Sequence, residues 1–278
     1  MSALVHLGHA LWGCRYSPHA EFTLLTHYLD EAIDPRFTVV CGWISSVSEW
    51  DRLLLDWSLL LASDKLSYFH MKEFSQFKKA FKKWEHAPRD RARFIHQATE
   101  IIRANVKHGV FCFVNHSEFA LIDRDFELRE RFASPYALAG RVCLSLADRW
   151  KERNYASEEM EYVFDDGVPA SDKTALRKAT TEAPSFGDPI FKPSRDIKDS
   201  KGRLRKGVVQ IQTADFLAYE LRKSRVERFE RSTRPVRLSF YRLLGVDGFS
   251  MAMIHRGSIT SILRDCGLDP LRKRVNVP

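Results

Sequence analysis

Three aspartates, Asp30, Asp165 and Asp215, stand where their neighbours give a carboxylate little structural reason to be. Asp30 closes a β-rich run. Side chains alternate along a strand, so Tyr28 and Asp30 share one face and Glu31 takes the other. Asp165 ends a second run and shares its face with Val163. Asp215 lies in the first turn of a helical pattern, with Ile211 four residues before it, Ala218 three after and Tyr219 four after. An acid bordered by apolar residues on its own face is costly unless a positive group meets it. Carboxylates on two strand ends and one helix can hold two divalent cations about 3.5 to 4 Å apart, which activate a water and stabilise a leaving oxygen. Only oxygen donors are offered, which favours Mg2+ or Mn2+ over zinc. Taken singly, each acid also has a structural reading: a strand end at Asp30-Glu31, a turn at Asp165-Asp166-Gly167, and macrodipole stabilisation at Asp215.

Glu73 follows His70 by three residues. A histidine in such a place serves a structural role more often than a chemical one. The chain contains no H-E-x-x-H, G-x-S-x-G, P-loop or G-x-G-x-x-G, so zinc-protease, serine-hydrolase, kinase-like and dinucleotide chemistry are without support.

The elements that must position these acids alternate between strand and helix. Leu24 to Ala32 and Phe37 to Ile44, separated by Asp34-Pro35-Arg36, predict an antiparallel hairpin. Trp50, Leu53, Leu54, Trp57, Leu60 and Leu61 predict a helix over 48–61 with Ser48 as its cap. A short strand is expected over 65–70, a helix over 88–106, a strand over 108–115 and a helix over 135–153. A strand follows over 161–164, then a helix over 171–182 and a short strand at Ile190-Phe191. A basic hairpin is expected over 196–207, and a helix over 213–228 with Thr213 as its cap. No linker or repeat divides the chain, which predicts one α/β domain over 23–278, a loose extension over 1–22 and a helical elaboration from about residue 231.

The formal net charge is +8. Lys192 to Arg237 holds fourteen basic and six acidic residues, a difference equal to the whole excess. Lys201, Arg203, Arg205, Lys206 and Arg222 are its candidate phosphate contacts. A second basic stretch, including Lys78 and Lys82, interleaves with Phe74, Phe77, Phe81 and Trp84. That pattern suits a phosphate backbone with bases to stack on, or a solvated face whose aromatics point into the core. Two such stretches around a set of carboxylates point to a polyanionic partner.

The patterns Y-L-D-E-A at Tyr28 to Ala32, F-H-x-x-E at Phe69 to Glu73, V-F-D-D-G at Val163 to Gly167 and Q-T-A-D-F-L-A-Y at Gln212 to Tyr219 resemble the domain of unknown function 3800 family, which is related to ribonuclease-H-like folds. The resemblance covers about Leu24 to Tyr219. It implies a ribonuclease-H-like mixed sheet with flanking helices, with Asp30, Asp165 and Asp215 as metal-binding carboxylates and Glu31 and Glu73 as further candidate catalytic acids. The chain departs from the family in carrying Ala32-Ile33 where Ser-Gly is common after the first Asp-Glu.

Composition bounds the rest. Five cysteines without a C-x-x-C pair argue against a disulfide framework and for a reducing, cytoplasmic setting. No apolar run approaches the ~20 residues of a membrane span. The expectation is a Mg2+- or Mn2+-dependent nuclease acting on DNA or RNA. Its rivals are a non-catalytic nucleic-acid-binding module on the same fold, and an interaction subunit using the aromatic and basic surface for a protein partner.

Overall fold

The computed structural model describes residues 24–181, 186–198, 202–233, 236–246 and 248–265. The extension over 1–22, Lys201, Cys14 and Cys266 lie outside them. The hairpin forms as the sequence requires: β1 (Leu25–Asp34) pairs antiparallel with β2 (Phe37–Ser46) around the Pro35-Arg36 turn. β3 (His108–Asn115) lies antiparallel to β2, β4 (Met160–Asp165) lies parallel to β1, and β5 (Ile190–Lys192) lies parallel to β4. The six-stranded sheet has the order β5-β4-β1-β2-β3-β8, completed by β8 (Phe249–Ile254), which is parallel to β3. Within it β2 runs against the other five. A separate two-stranded hairpin pairs β6 (Ile197–Lys198) with β7 (Leu204–Arg205).

Helices cover both faces, because β1 and β2 bury apolar residues at odd and even positions alike. Leu25, Leu29, Val40 and Ile44 pack with α4 (His116–Asp125), α5 (Leu128–Phe132), α6 (Pro135–Asn154), α7 (Ala170–Thr181) and α10 (Ile259–Asp265). Phe37, Val39, Cys41 and Trp43 pack on the other face with α1 (Val47–Ser63), α2 (Met71–Ser75), α3 (Pro88–Asn105), α8 (Val209–Phe229) and α9 (Leu238–Leu243). Each fully buried large side chain contributes roughly 1.5–3 kcal/mol of transfer free energy. Gly42 is required here, since a Cβ there would sit 2.0 Å from the carbonyl oxygen of Tyr28, two residues before Asp30. Cys41, Cys112 and Cys143 are buried thiols.

The structure differs from the sequence reading in several elements. The segment over 65–70 is no strand: Phe69 N–H donates to Gln212 Oε1 at 2.9 Å and Met71 N–H to Asp215 Oδ2 at 2.6 Å, so α8 side chains take the place of a ladder. α1 begins after Ser46 rather than at Ser48, because the Ser46 N–H and hydroxyl both donate to Glu49. α8 begins at Val209, four residues before Thr213, which places Asp215 in the second turn and removes the helix-terminus explanation for it. The C-terminal elaboration is not wholly helical, since β8 joins the main sheet. Among the described residues no helix is long and apolar enough to cross a membrane.

Candidate functional site

β1 and β4 stay paired from Leu25 with Met160 to Leu29 with Phe164, and the next residue on each strand is an acid, Asp30 and Asp165. Beyond this point β1 continues beside β2 alone, while Asp165 pairs with Lys192 of β5. The strands part at the carboxylates, at the C-terminal ends of parallel neighbours, where open α/β sheets form crevices. By alternation Asp30 and Asp165 face α8, since Leu29 and Phe164 pack on the α6 face. α8 is fixed over them by Trp43 Nε1, which donates to the Thr213 carbonyl at 3.1 Å. Asp215 projects from this helix.

The electrostatics couple these three carboxyls and add a fourth, Glu31, which follows Asp30 on the other face of β1. Asp30 is buried, and its carboxyl is held well above the ordinary range by desolvation first, then by Glu31, Asp165 and Asp215. Desolvation followed by Asp165 raises Glu31 to about 8. Burial also raises Asp165, against the N–H groups of Gly167 (2.7 Å) and Ser194 (3.1 Å). Asp215 is pushed up to about 6 by burial, opposed by His70 and the Met71 N–H, with Asp165 and Glu73 adding to the rise. Desolvation leads in all four, and neighbouring carboxyls add to it at Asp30, Glu31 and Asp215, as expected of acids in a buried site without cationic partners enough to offset them.

This donor set fits a hard divalent cation in its chemistry, being all oxygen and under-compensated. Its arrangement is not that of a closed coordination sphere: among the described residues no three His, Cys, Asp or Glu side chains are grouped to hold a metal ion. Each aspartate is turned toward backbone donors, Asp30 Oδ1 accepting from Glu31 N–H at 2.7 Å as Asp165 and Asp215 do from theirs.

Glu73 stands apart from the four. Burial would raise it, but hydrogen bonds from Lys79 (2.7 Å), Tyr68 (2.5 Å) and Arg195 (3.1 Å) bring it down to about 2. It is an ion-pair clamp beside Asp215. Asp166 is likewise compensated: burial opposes, yet Lys173 and Arg205 hold it below the usual range.

The basic candidates divide. Lys78 and Lys82 are exposed, as is Arg203. Arg205 pairs with Asp166 at 2.5 Å, Lys206 with Asp196 at 3.1 Å and Arg222 with Asp34 at 3.3 Å. The base-stacking reading of the first basic stretch fails for Phe74, Phe81 and Trp84, which are in the core, and Phe77 lies beneath Arg91 at 4.7 Å. The inward-facing alternative describes them.

Sequence reasoning gave no role to Gln212 or Ser194. Gln212 Oε1 accepts from Trp57 Nε1 at 3.1 Å and from Phe69 N–H, while its Nε2 donates to the Ser194 carbonyl at 2.8 Å. The Ser194 N–H in turn donates to Asp165. The signal was available: a polar residue three before Asp215 falls on the same face of an otherwise apolar helix. Comparison of the chain with models of protein families, with curated proteins and with solved structures found no match.

Proposed function

We propose that this chain is a divalent-metal-dependent nuclease hydrolysing phosphodiester bonds of nucleic acid on a ribonuclease-H-like sheet, as the resemblance to the domain of unknown function 3800 family implies. The observation that carries the reading is the placement of Asp30 and Asp165, at the ends of β1–β4 pairing, on the face covered by the helix that carries Asp215, with Glu31 next to Asp30 and all four carboxyls raised above their ordinary range. The order β3-β2-β1-β4-β5 with β2 reversed supports the fold assignment.

Asp30, Asp165 and Asp215 would hold Mg2+ or Mn2+, with Glu31 as the adjoining acid. Bound there, the metal supplies an activated water and charge stabilisation at the leaving oxygen. The chain's own residues do the positioning: the N–H groups of Glu31, Gly167, Ser194 and Met71 orient the carboxyls. Protons shared among the acids must leave before a cation is held, so affinity rises with pH. The basic segments supply phosphate contacts that position the strand.

One observation favours the non-catalytic module instead, namely that the described acids form no ready coordination group. Nuclease assays with magnesium, manganese and chelator separate the two readings. Cleavage that requires the cation and falls by orders of magnitude in Asp30→Asn and Asp215→Asn, with circular dichroism unchanged, supports the enzyme. Nucleic-acid binding without cleavage in any metal supports the module.

A further inference from the structure

Beside the carboxylates lies an open groove of about 410 Å3 whose lining includes Tyr68, Lys79, Ser194, Arg195, Val209 and Gln212. It adjoins the acids through Ser194, whose N–H contacts Asp165 and whose carbonyl accepts from Gln212. The Arg195 guanidinium lies over the Tyr68 ring, 5.1 Å from its centroid. Both are fastened to one carboxylate, because Tyr68 OH donates to Glu73 Oε2 at 2.5 Å and Arg195 Nη1 to Oε1 at 3.1 Å. Lys79 completes the bracket at 2.7 Å. The backbone behind Arg195 is held as well: a Cβ at Gly207 would meet it at 2.4 Å, and Gly207 N–H donates to Asp196 Oδ1 at 2.8 Å. Asp196, the acid in the groove wall, is itself paired with Lys206 at 3.1 Å.

We infer that this groove receives one nucleotide of a single strand, the base stacking on the Arg195–Tyr68 platform and an adjacent phosphate meeting Lys79. Arg195 and Tyr68 both line the groove, and guanidinium planes and aromatic rings are the surfaces on which unpaired bases stack. The volume lies in the range of small-ligand pockets, roughly 300 to 1,000 Å3, and has no room for a duplex. The inference rests on the proposed nuclease reading for its substrate and adds that the strand enters unpaired.

The test is fluorescence anisotropy of the full chain with labelled single-stranded and duplex oligonucleotides, each as DNA and RNA, in chelator so that cleavage does not intrude. Arg195→Lys keeps the charge and loses the plane. Single-strand affinity should fall about tenfold, on DNA and RNA alike, while duplex affinity holds within about twofold. Tyr68→Phe keeps the ring and should bind within about twofold of wild type; Tyr68→Ala should lose as much as Arg195→Lys. Circular dichroism and melting confirm that each variant folds. Wild-type single-strand affinity in Arg195→Lys, or equal loss on duplexes, overturns the platform, as does a chain that binds no oligonucleotide. If the wild type cleaves with magnesium while Arg195→Lys binds normally, the platform falls and the nuclease stands. If single strands bind through Arg195 but are never cut, the nuclease falls and the platform stands.

Discussion

Gln212 and Asp215 lie three residues apart on one face of α8 and grip the same stretch of chain, Gln212 at the Phe69 N–H and Asp215 at the Met71 N–H. The helix that carries the third candidate acid is thereby locked to the segment that carries His70 and Glu73. Gln212→Leu keeps the approximate volume and strips three hydrogen bonds, leaving the Trp57 indole N–H, the Phe69 N–H and the Ser194 carbonyl without that partner. The expected loss is about 2–4 kcal/mol in urea unfolding, because each orphaned buried group costs about 1–3 kcal/mol and some regain water. A variant within ~0.5 kcal/mol of wild type refutes the locking role.

The carboxylate cluster should weaken the fold as pH rises. Asp215, at about 6, and Glu31, at about 8, are raised above their ordinary values of 3.8 and 4.5, so the folded chain binds more protons than the unfolded one between those limits. Stability therefore falls with pH from about 4 to about 8. Asp30→Asn keeps an oxygen for the Glu31 N–H and removes a carboxyl whose ionisation the buried site opposes. In chelator it should raise Tm by several degrees at pH 8 and leave it unchanged near pH 4. Equal Tm values at pH 8 contradict the electrostatic picture.

Glu73 carries the opposite sign. Its folded pKa, about 2, lies below the ordinary 4.5, so its stabilisation is complete above pH 4.5 and lost as pH falls toward 2. Lys79 and Arg195 are substantially exposed, which screens the pairs. Glu73→Gln should cost about 1–2 kcal/mol from pH 7 down to about 4.5, and progressively less from there to pH 2. A cost that does not change with pH points to packing and removes the ion-pair account.

Local patterns made much of this architecture legible. β1, β3 and α6 fall within a residue or two of their expected bounds, the strands because short β-rich runs buried on both faces mark them and the helix because its periodicity does. The segment over 65–70 read as a strand and is none, since its partners are side chains from a helix about 140 residues away in sequence. β8 went unread because its six residues gain strand character only beside β3. Asp30, Asp165 and Asp215 could be singled out as acids among apolar neighbours. Gln212 was open to the same reasoning through its place on the Asp215 face of α8, but Tyr68 and Arg195 were not, because their roles depend on contacts between distant segments.

The basic arm gives the last prediction. Arg203, Arg205 and Lys206 lie on or beside the β6–β7 hairpin, which the Arg205–Asp166 pair ties to the residue next to Asp165. If the arm meets phosphates, each contact releases counterion and adds about −0.7 to the log–log salt slope on single strands. Replacing all three by Ala should make the slope shallower by about two units and leave sequence preference unchanged, since phosphate contacts position rather than read. The ion pairs at Asp166 and Asp196 do not protect against this loss, because exposed pairs exchange partners at little cost. Anisotropy titrations from low to physiological salt supply the slope. Were it unaltered in the triple variant, the arm would be a solvated hairpin, and the polyanion would belong to Lys78, Lys82 and their neighbours.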